Sequence, residues 1–184
     1  TDVYNTAVGA NAGASVTTGL RNTLMGGLAG DALTNAEGNV AVGYNALTAD
    51  TLGSLSVAIG RSALEAQNLT TATNTFNIAV GYNAGAAVTT GVQNTLIGAL
   101  AGDALTDADT NVAVGIGAIG TDTLGGSAVA IGSFALGAQN FTTATTNYNV
   151  AVGQSAGGSI TTGIQNTIVG ALAGDALTDA DFNV

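Results

Sequence analysis

The sequence predicts an all-β protein, a parallel β-solenoid of ten coils, and three observations predict it. A glycine recurs at Gly9, Gly26, Gly43, Gly60, Gly81, Gly98, Gly115, Gly132, Gly153 and Gly170, and the residue three beyond each one is alanine. The intervals between these glycines run 17, 17, 17 and 21, then 17, 17, 17 and 21 again, then 17, so four coils build a larger unit of 72 residues. Each glycine follows three or four residues with β-branched positions, as in Asn39-Val40-Ala41-Val42-Gly43. That length and composition suit a short strand, and the glycine after it suits a tight turn.

Taken in order, the units cover residues 5–76, 77–148 and, incompletely, 149–184, in one continuous array. Gly98 to Asp109 and Gly170 to Asp181 are the same string, GALAGDALTDAD, as tandem repeats require. Asn183 and Val184 open an eleventh repeat, so the expectation is a segment of a longer chain. So much alanine and leucine also fits a helix, but the 28 glycines reach into every unit and each costs a helix about 1 kcal/mol. Proline is absent, so no strand loses a ladder N–H to it.

Seventeen residues accommodate two short strands and two turns, and each coil should rise about 4.8 Å, with the pivot glycines stacked in one turn. One strand face carries Val42, Ile59 and Ile97 together with the residues two before them, and the other carries Ala41, Ala58 and Leu96. Both are apolar, the pattern of a strand covered on both sides. One face can fill the narrow interior, while the other needs a cover that further copies of the chain would supply.

Composition narrows the function. Apolar residues make up 46% but include four Phe, four Tyr and no Trp, so the core must be thin. Two basic residues stand against twelve acids, a net charge of −10, which disfavours nucleic acid and anionic membranes as partners. No window of about 18 unbroken apolar residues exists, so no membrane insertion is expected of this stretch. There is no Cys, His or Lys, which removes disulfides, thiolate metal sites and the commonest catalytic bases and nucleophiles. The expectation is a protein that is not an enzyme, with no catalytic residues and no organic cofactor.

The acids are the remaining chemistry. Asp103, Asp107 and Asp109 recur as Asp175, Asp179 and Asp181, and as Asp31, Asn35 and Glu37 in the first unit. They offer hard oxygens suited to calcium but lack the order of an EF-hand loop, so solvated acids are the preferred reading and calcium the alternative. Asp107 with Asp109 has the spacing of a glycosidase carboxylate pair, about 6 to 7 Å in extended chain, without an aromatic platform beside it. The Thr-Thr-Gly element at Thr17, Thr89 and Thr161 comes once per four coils, too sparse for the regular hydroxyl ladder of an ice-binding face.

The contact surface is expected on the 21-residue intervals, whose four extra residues should bulge from the regular coil. These hold Asn68, Leu69, Thr70, Thr71 and Phe76 in the first unit and Asn140, Phe141, Thr142, Thr143 and Tyr148 in the second. Hydroxyls, amides and an aromatic suit a cell-surface glycan or a neighbouring fibre, whereas local packing is the plainer use of the apolar members. Asn68-Leu69-Thr70 and Asn140-Phe141-Thr142 are also N-glycosylation sequons.

The repeats also carry a family resemblance over essentially the whole chain. Asn39-Val40-Ala41-Val42-Gly43, Ser56-Val57-Ala58-Ile59-Gly60-Arg61-Ser62-Ala63 and Asn149-Val150-Ala151-Val152-Gly153-Gln154-Ser155-Ala156 resemble the head repeats of YadA-type trimeric autotransporter adhesins. Asn94-Thr95-Leu96-Ile97-Gly98-Ala99-Leu100-Ala101-Gly102 resembles the repeats of phage tail-fibre-like proteins. The resemblance implies a left-handed β-roll, a parallel homotrimer, and an extracellular, cell-surface or virion location. The 17/17/17/21 spacing and the lack of a heptad stalk or membrane-anchoring barrel in this stretch favour a phage or extracellular fibre, with an adhesin head as the alternative.

Overall fold

The computed structural model describes residues 3–184 and contains strands and turns with no helix among them. Fourteen strands follow the chain: β1 (Thr6–Val8), β2 (Thr23–Met25), β3 (Val40–Val42), β4 (Gly53–Ser54), β5 (Val57–Ile59), β6 (Thr73–Asn74), β7 (Ile78–Val80), β8 (Thr95–Ile97), β9 (Val112–Val114), β10 (Gly125–Gly126), β11 (Val129–Ile131), β12 (Thr145–Thr146), β13 (Val150–Val152) and β14 (Thr167–Val169). The ten three-residue strands, one per pivot glycine, form a single sheet in the order β1-β2-β3-β5-β7-β8-β9-β11-β13-β14. Every pair is parallel and in register, as Val40 on Val57, Ala41 on Ala58 and Val42 on Ile59. This is the expected solenoid of ten coils. A second strand per coil forms only where β4 meets β6 and β10 meets β12; elsewhere that side is built of turns.

The middle residue of each strand points inward. Leu24, Ala41, Ala58, Ala79, Leu96, Ala113, Ala130, Ala151 and Ile168 are buried, and so is the alanine three beyond the pivot glycine in every coil that has a neighbour on both sides. Leucine replaces alanine only where glycine makes room for it: a Cβ on Gly30 would lie 2.8 Å from Leu24 Cδ2, and one on Gly102 2.7 Å from Leu96 Cδ2. The interior therefore conserves volume between facing positions.

The pivot glycines stack in one column with φ between +130° and +144°, a region essentially closed to other residues. Space excludes a side chain as well. A Cβ on Gly98 would sit 2.5 Å from the carbonyl oxygen of Gly115, one coil on.

A buried asparagine ladder opens the coils. Asn94 Nδ2 donates to the Ala108 carbonyl of its own coil (2.8 Å), while its Oδ1 accepts the backbone N–H of Asn111 in the next (3.0 Å). Asn22, Asn39, Asn77, Asn111, Asn149 and Asn166 make the same pair of contacts. Each side chain closes its own coil and ties down the next, which is how a turn-rich coil satisfies its buried backbone.

Candidate functional site

The first candidate surface is the outer face of the ten-stranded sheet. Val40, Val57, Ile78 and Val112 form one column and Val42, Ile59, Ile97 and Ile131 the next, half-buried to exposed, with no element of the described chain packed over them. Met25, Ile59, Ile97 and Ile131 remain about 40% exposed. Sequence alternation left open which apolar face lies inside; the interior takes mostly the alanines, because leucines and isoleucines from the turns across it already fill the space, and the larger β-branched residues face out.

The 21-residue intervals form the second. The offset between stacked coils is 17 at Thr51–Asn68, 20 at Gly53–Thr73 and 21 at Val57–Ile78. Three of the four extra residues therefore bulge before β6 and the fourth enters after it. Thr70, Thr71 and Ala72 are exposed, as are Thr142, Thr143 and Ala144, whereas Thr75 and Asn147 are buried. The expectation that all four bulge is corrected: the fourth repairs the asparagine ladder. Ser56 and Ala128 stand where asparagine should, and Thr75 Oγ1 shares a 2.5 Å hydrogen bond with Ser56 Oγ. Asn147 Oδ1 accepts from Asn149 N at 2.9 Å, in the place of an oxygen that Ala128 lacks.

The apolar members of these intervals divide. Leu69 and Phe141 are core, 6% exposed, and Phe76 and Tyr148 project outward. Each long coil is anchored by a buried carboxylate that sequence reading passed over. Asp50 accepts from the N–H groups of Gly53 (3.0 Å) and Leu69 (3.3 Å) and from Gln67 Nε2 (2.6 Å), and Gln67 Oε1 accepts from Asn77 Nδ2 (2.8 Å). Asp122, Gln139 and Asn149 repeat this one unit later, with Gly125 and Phe141 supplying the N–H groups. An Asp followed 17 residues on by Gln, in both complete units, was the available signal. A groove of about 300 Å³ lies between the 72–74 stretch and Thr18, Asn35 and Glu37, and one of about 170 Å³ lies between the 144–146 stretch and Asp107 and Asp109.

The acids do not converge. Asp107 accepts from Thr90 Oγ1, Asp109 from Val92 N (2.7 Å), Asp181 from Ile164 N (2.7 Å) and Asp179 from Thr178 Oγ1 (3.1 Å). Asp103 is half-buried, and burial pushes its carboxyl above the ordinary value against the pull of a backbone hydrogen bond; Asp175 is exposed. Among the described residues no three acidic side chains are grouped to hold a metal ion. Threonine recurs more regularly than the Thr-Thr-Gly element implied, at Thr17, Thr34, Thr51, Thr89, Thr106, Thr123, Thr161 and Thr178. Thr34 Oγ1 donates to the Thr51 carbonyl (3.1 Å) and Thr106 to Thr123 (3.1 Å), so these hydroxyls join coils instead of forming a free array.

A third surface went unnoticed in the sequence. Tyr44, Arg61 and Tyr82 each follow a pivot glycine and occupy consecutive coils, joined by backbone rungs from Ser62 N to the Tyr44 carbonyl (2.9 Å) and from Asn83 N to the Arg61 carbonyl (3.0 Å). All three side chains are exposed, and Arg61 Cζ lies 5.5 Å from the Tyr82 ring centroid. The shared offset from the pivot glycine was the signal for them. No protein-family model, curated protein or solved structure matches the chain.

Proposed function

We propose that the chain is a structural and adhesive fibre segment, of a phage tail fibre or extracellular filament, which associates with copies of itself and presents binding surface without catalysis. The observation that carries this reading is the uncovered outer face of the ten-stranded sheet, where one apolar column runs the whole length beside a second that Thr6, Thr23, Thr95 and Thr167 interrupt. A continuous apolar stripe of this kind is an association surface, and the family resemblance makes the partner a parallel homotrimer. The exposed 70–72 and 142–144 stretches, carried on a rigid frame, are the surface offered to a glycan or neighbouring fibre. Repetition supports the non-catalytic part, because the acids are spread among separate turns instead of meeting in one cleft. The adhesin head is the alternative within the same architecture.

Light scattering tests the association. The chain should run as a trimer, and Ile59→Glu with Ile97→Glu should release a folded monomer. A wild-type monomer, or a trimer indifferent to the double substitution, overturns the sheet-face reading. Deleting 70–72 and 142–144 should then abolish attachment of the folded fibre to its surface.

A further inference from the structure

The 72-residue repetition breaks at Tyr44, Arg61 and Tyr82, each directly after a pivot glycine. One unit later the same positions hold Ile116, Ser133 and Gln154, and their neighbours Asn45, Ser62 and Glu65 become Gly117, Phe134 and Gly137, while the pivot glycines and the alanines three beyond them do not change. Backbone packing does not require these side chains, since all three project from the turn that the pivot glycines make and are exposed, with Tyr44 at 51% and Tyr82 at 47%. Their chemistry is also unlike that of the rest of the surface. The chain has two cations against twelve acids; Arg21 is bound to Glu37 at 3.1 Å, while Arg61 has no carboxylate partner among the described residues. Glu65 takes its hydrogen bond from Asn45 Nδ2 (3.1 Å) instead.

We propose that Tyr44, Arg61 and Tyr82 form a single binding platform for a carboxylate-bearing sugar, a uronic acid within an acidic polysaccharide. It rests on the reading of the chain as a surface-binding fibre and names the ligand class. Stacked coils set the tyrosines about 9.6 Å apart with the guanidinium between them, so neighbouring sugar rings can lie on the aromatic faces while the carboxylate meets Arg61. A planar guanidinium engages a carboxylate through two parallel N–H donors, and its position over Tyr82 pre-orients it. Among the described residues Arg61 is the cation without a carboxylate partner, so a ligand carboxylate completes it, while the acidic surroundings disfavour ligands charged more densely than one carboxylate per sugar ring.

Calorimetric titration of the full chain with tetragalacturonate should give one site per chain. Arg61→Gln and Tyr82→Ala should each weaken binding at least tenfold, Phe134→Ala, at an exposed aromatic outside the platform, should leave it unchanged, and the methyl-esterified tetramer should bind at least tenfold more weakly. Installing Ile116→Tyr, Ser133→Arg and Gln154→Tyr together should raise the stoichiometry to two. Absence of saturable binding, binding indifferent to Arg61→Gln, or binding of sulfated sugars alone overturns the proposal. A fibre that attaches to its natural surface equally well with Arg61→Gln overturns this site and leaves the fibre reading standing. Uronate binding through Arg61 by a chain that attaches to no surface supports the site and overturns the fibre reading.

Discussion

The coils at 77–110 and those at 39–76 fill their interiors by different means. In the first pair Val88 and Leu105 fill the core beside Leu96, and Gly85 and Gly102 take the left-handed turn facing them, with φ of +58° and +56°. In the second pair Asp50 and Gln67 stand at the positions of Val88 and Leu105, and the apolar volume comes from Leu47 and Leu64, which hold the same left-handed turn at φ +55° and +50°. A leucine there costs roughly 1 kcal/mol of backbone strain. It is accepted because its side chain fills the space that a polar pair has left. The lesson is that a coil fixes the total filling of its interior and leaves free which side supplies it, so a polar anchor can be inserted wherever an insertion has to be held.

The two regions should respond alike to damage in the elements they share and differently to damage in those they do not. Gly60→Ala in the anchored coils and Gly98→Ala in the regular ones should have the largest effect, each about 3 kcal/mol or more from the forbidden φ together with the clash of the added Cβ against the next coil's backbone carbonyl, with equal losses of stability in thermal melts. Unequal losses would mean that the pivot column is not uniform. Gln67→Leu should cost about 3 kcal/mol, because it strips the buried Asp50 carboxylate and Asn77 of partners. The corresponding change in a regular coil, Leu105→Gln, buries an amide with no partner and should cost about 2 kcal/mol. Asn94→Ala should cost about 2 kcal/mol through the orphaned Asn111 N–H and Ala108 carbonyl. Asn147→Ala should cost less, about 1 kcal/mol, since it gives up the acceptor for Asn149 N but also removes an Nδ2 that is buried without a partner.

The smallest effect concerns pH. Burial raises the Asp103 carboxyl, so its neutral form suits the fold and its contribution is lost as pH rises through the folded-state value. Asp103→Asn should therefore stabilise the chain at neutral pH by about 0.5 kcal/mol or less, given partial exposure. The gain should vanish on acidification below the ordinary 3.8, as read from urea unfolding across pH.

Strand placement, register and the glycine column were legible because each is written ten times at fixed spacing, with a glycine and an alanine locked three residues apart in every coil. The orientation of the strands was not. Ala41 and Val42 are both apolar, and only the presence of Leu47 and Leu64 across the interior decides that the smaller one must face in. The asparagine ladder was visible as a polar residue opening each coil, but its role needed the carbonyl 14 residues on brought to its amide by the closed coil. Asp50 and Gln67 were hidden for a related reason: polar residues 17 apart read as surface until the leucines that displaced them inward are recognised as core.

The parallel ladder also has a mechanical meaning. Backbone rungs between coils lie along the solenoid axis, so a pull along that axis loads them in series, and the weakest rung fails first. One regular coil set free lengthens the chain by roughly 50 Å, the extended span of its residues less the rise it occupied. The Asp50–Gln67–Asn77 clamp joins three successive coils through side chains, and that stretch must yield as a block. Under tension the molecule would let out length in small even steps, interrupted once in each complete unit by a larger and stiffer one.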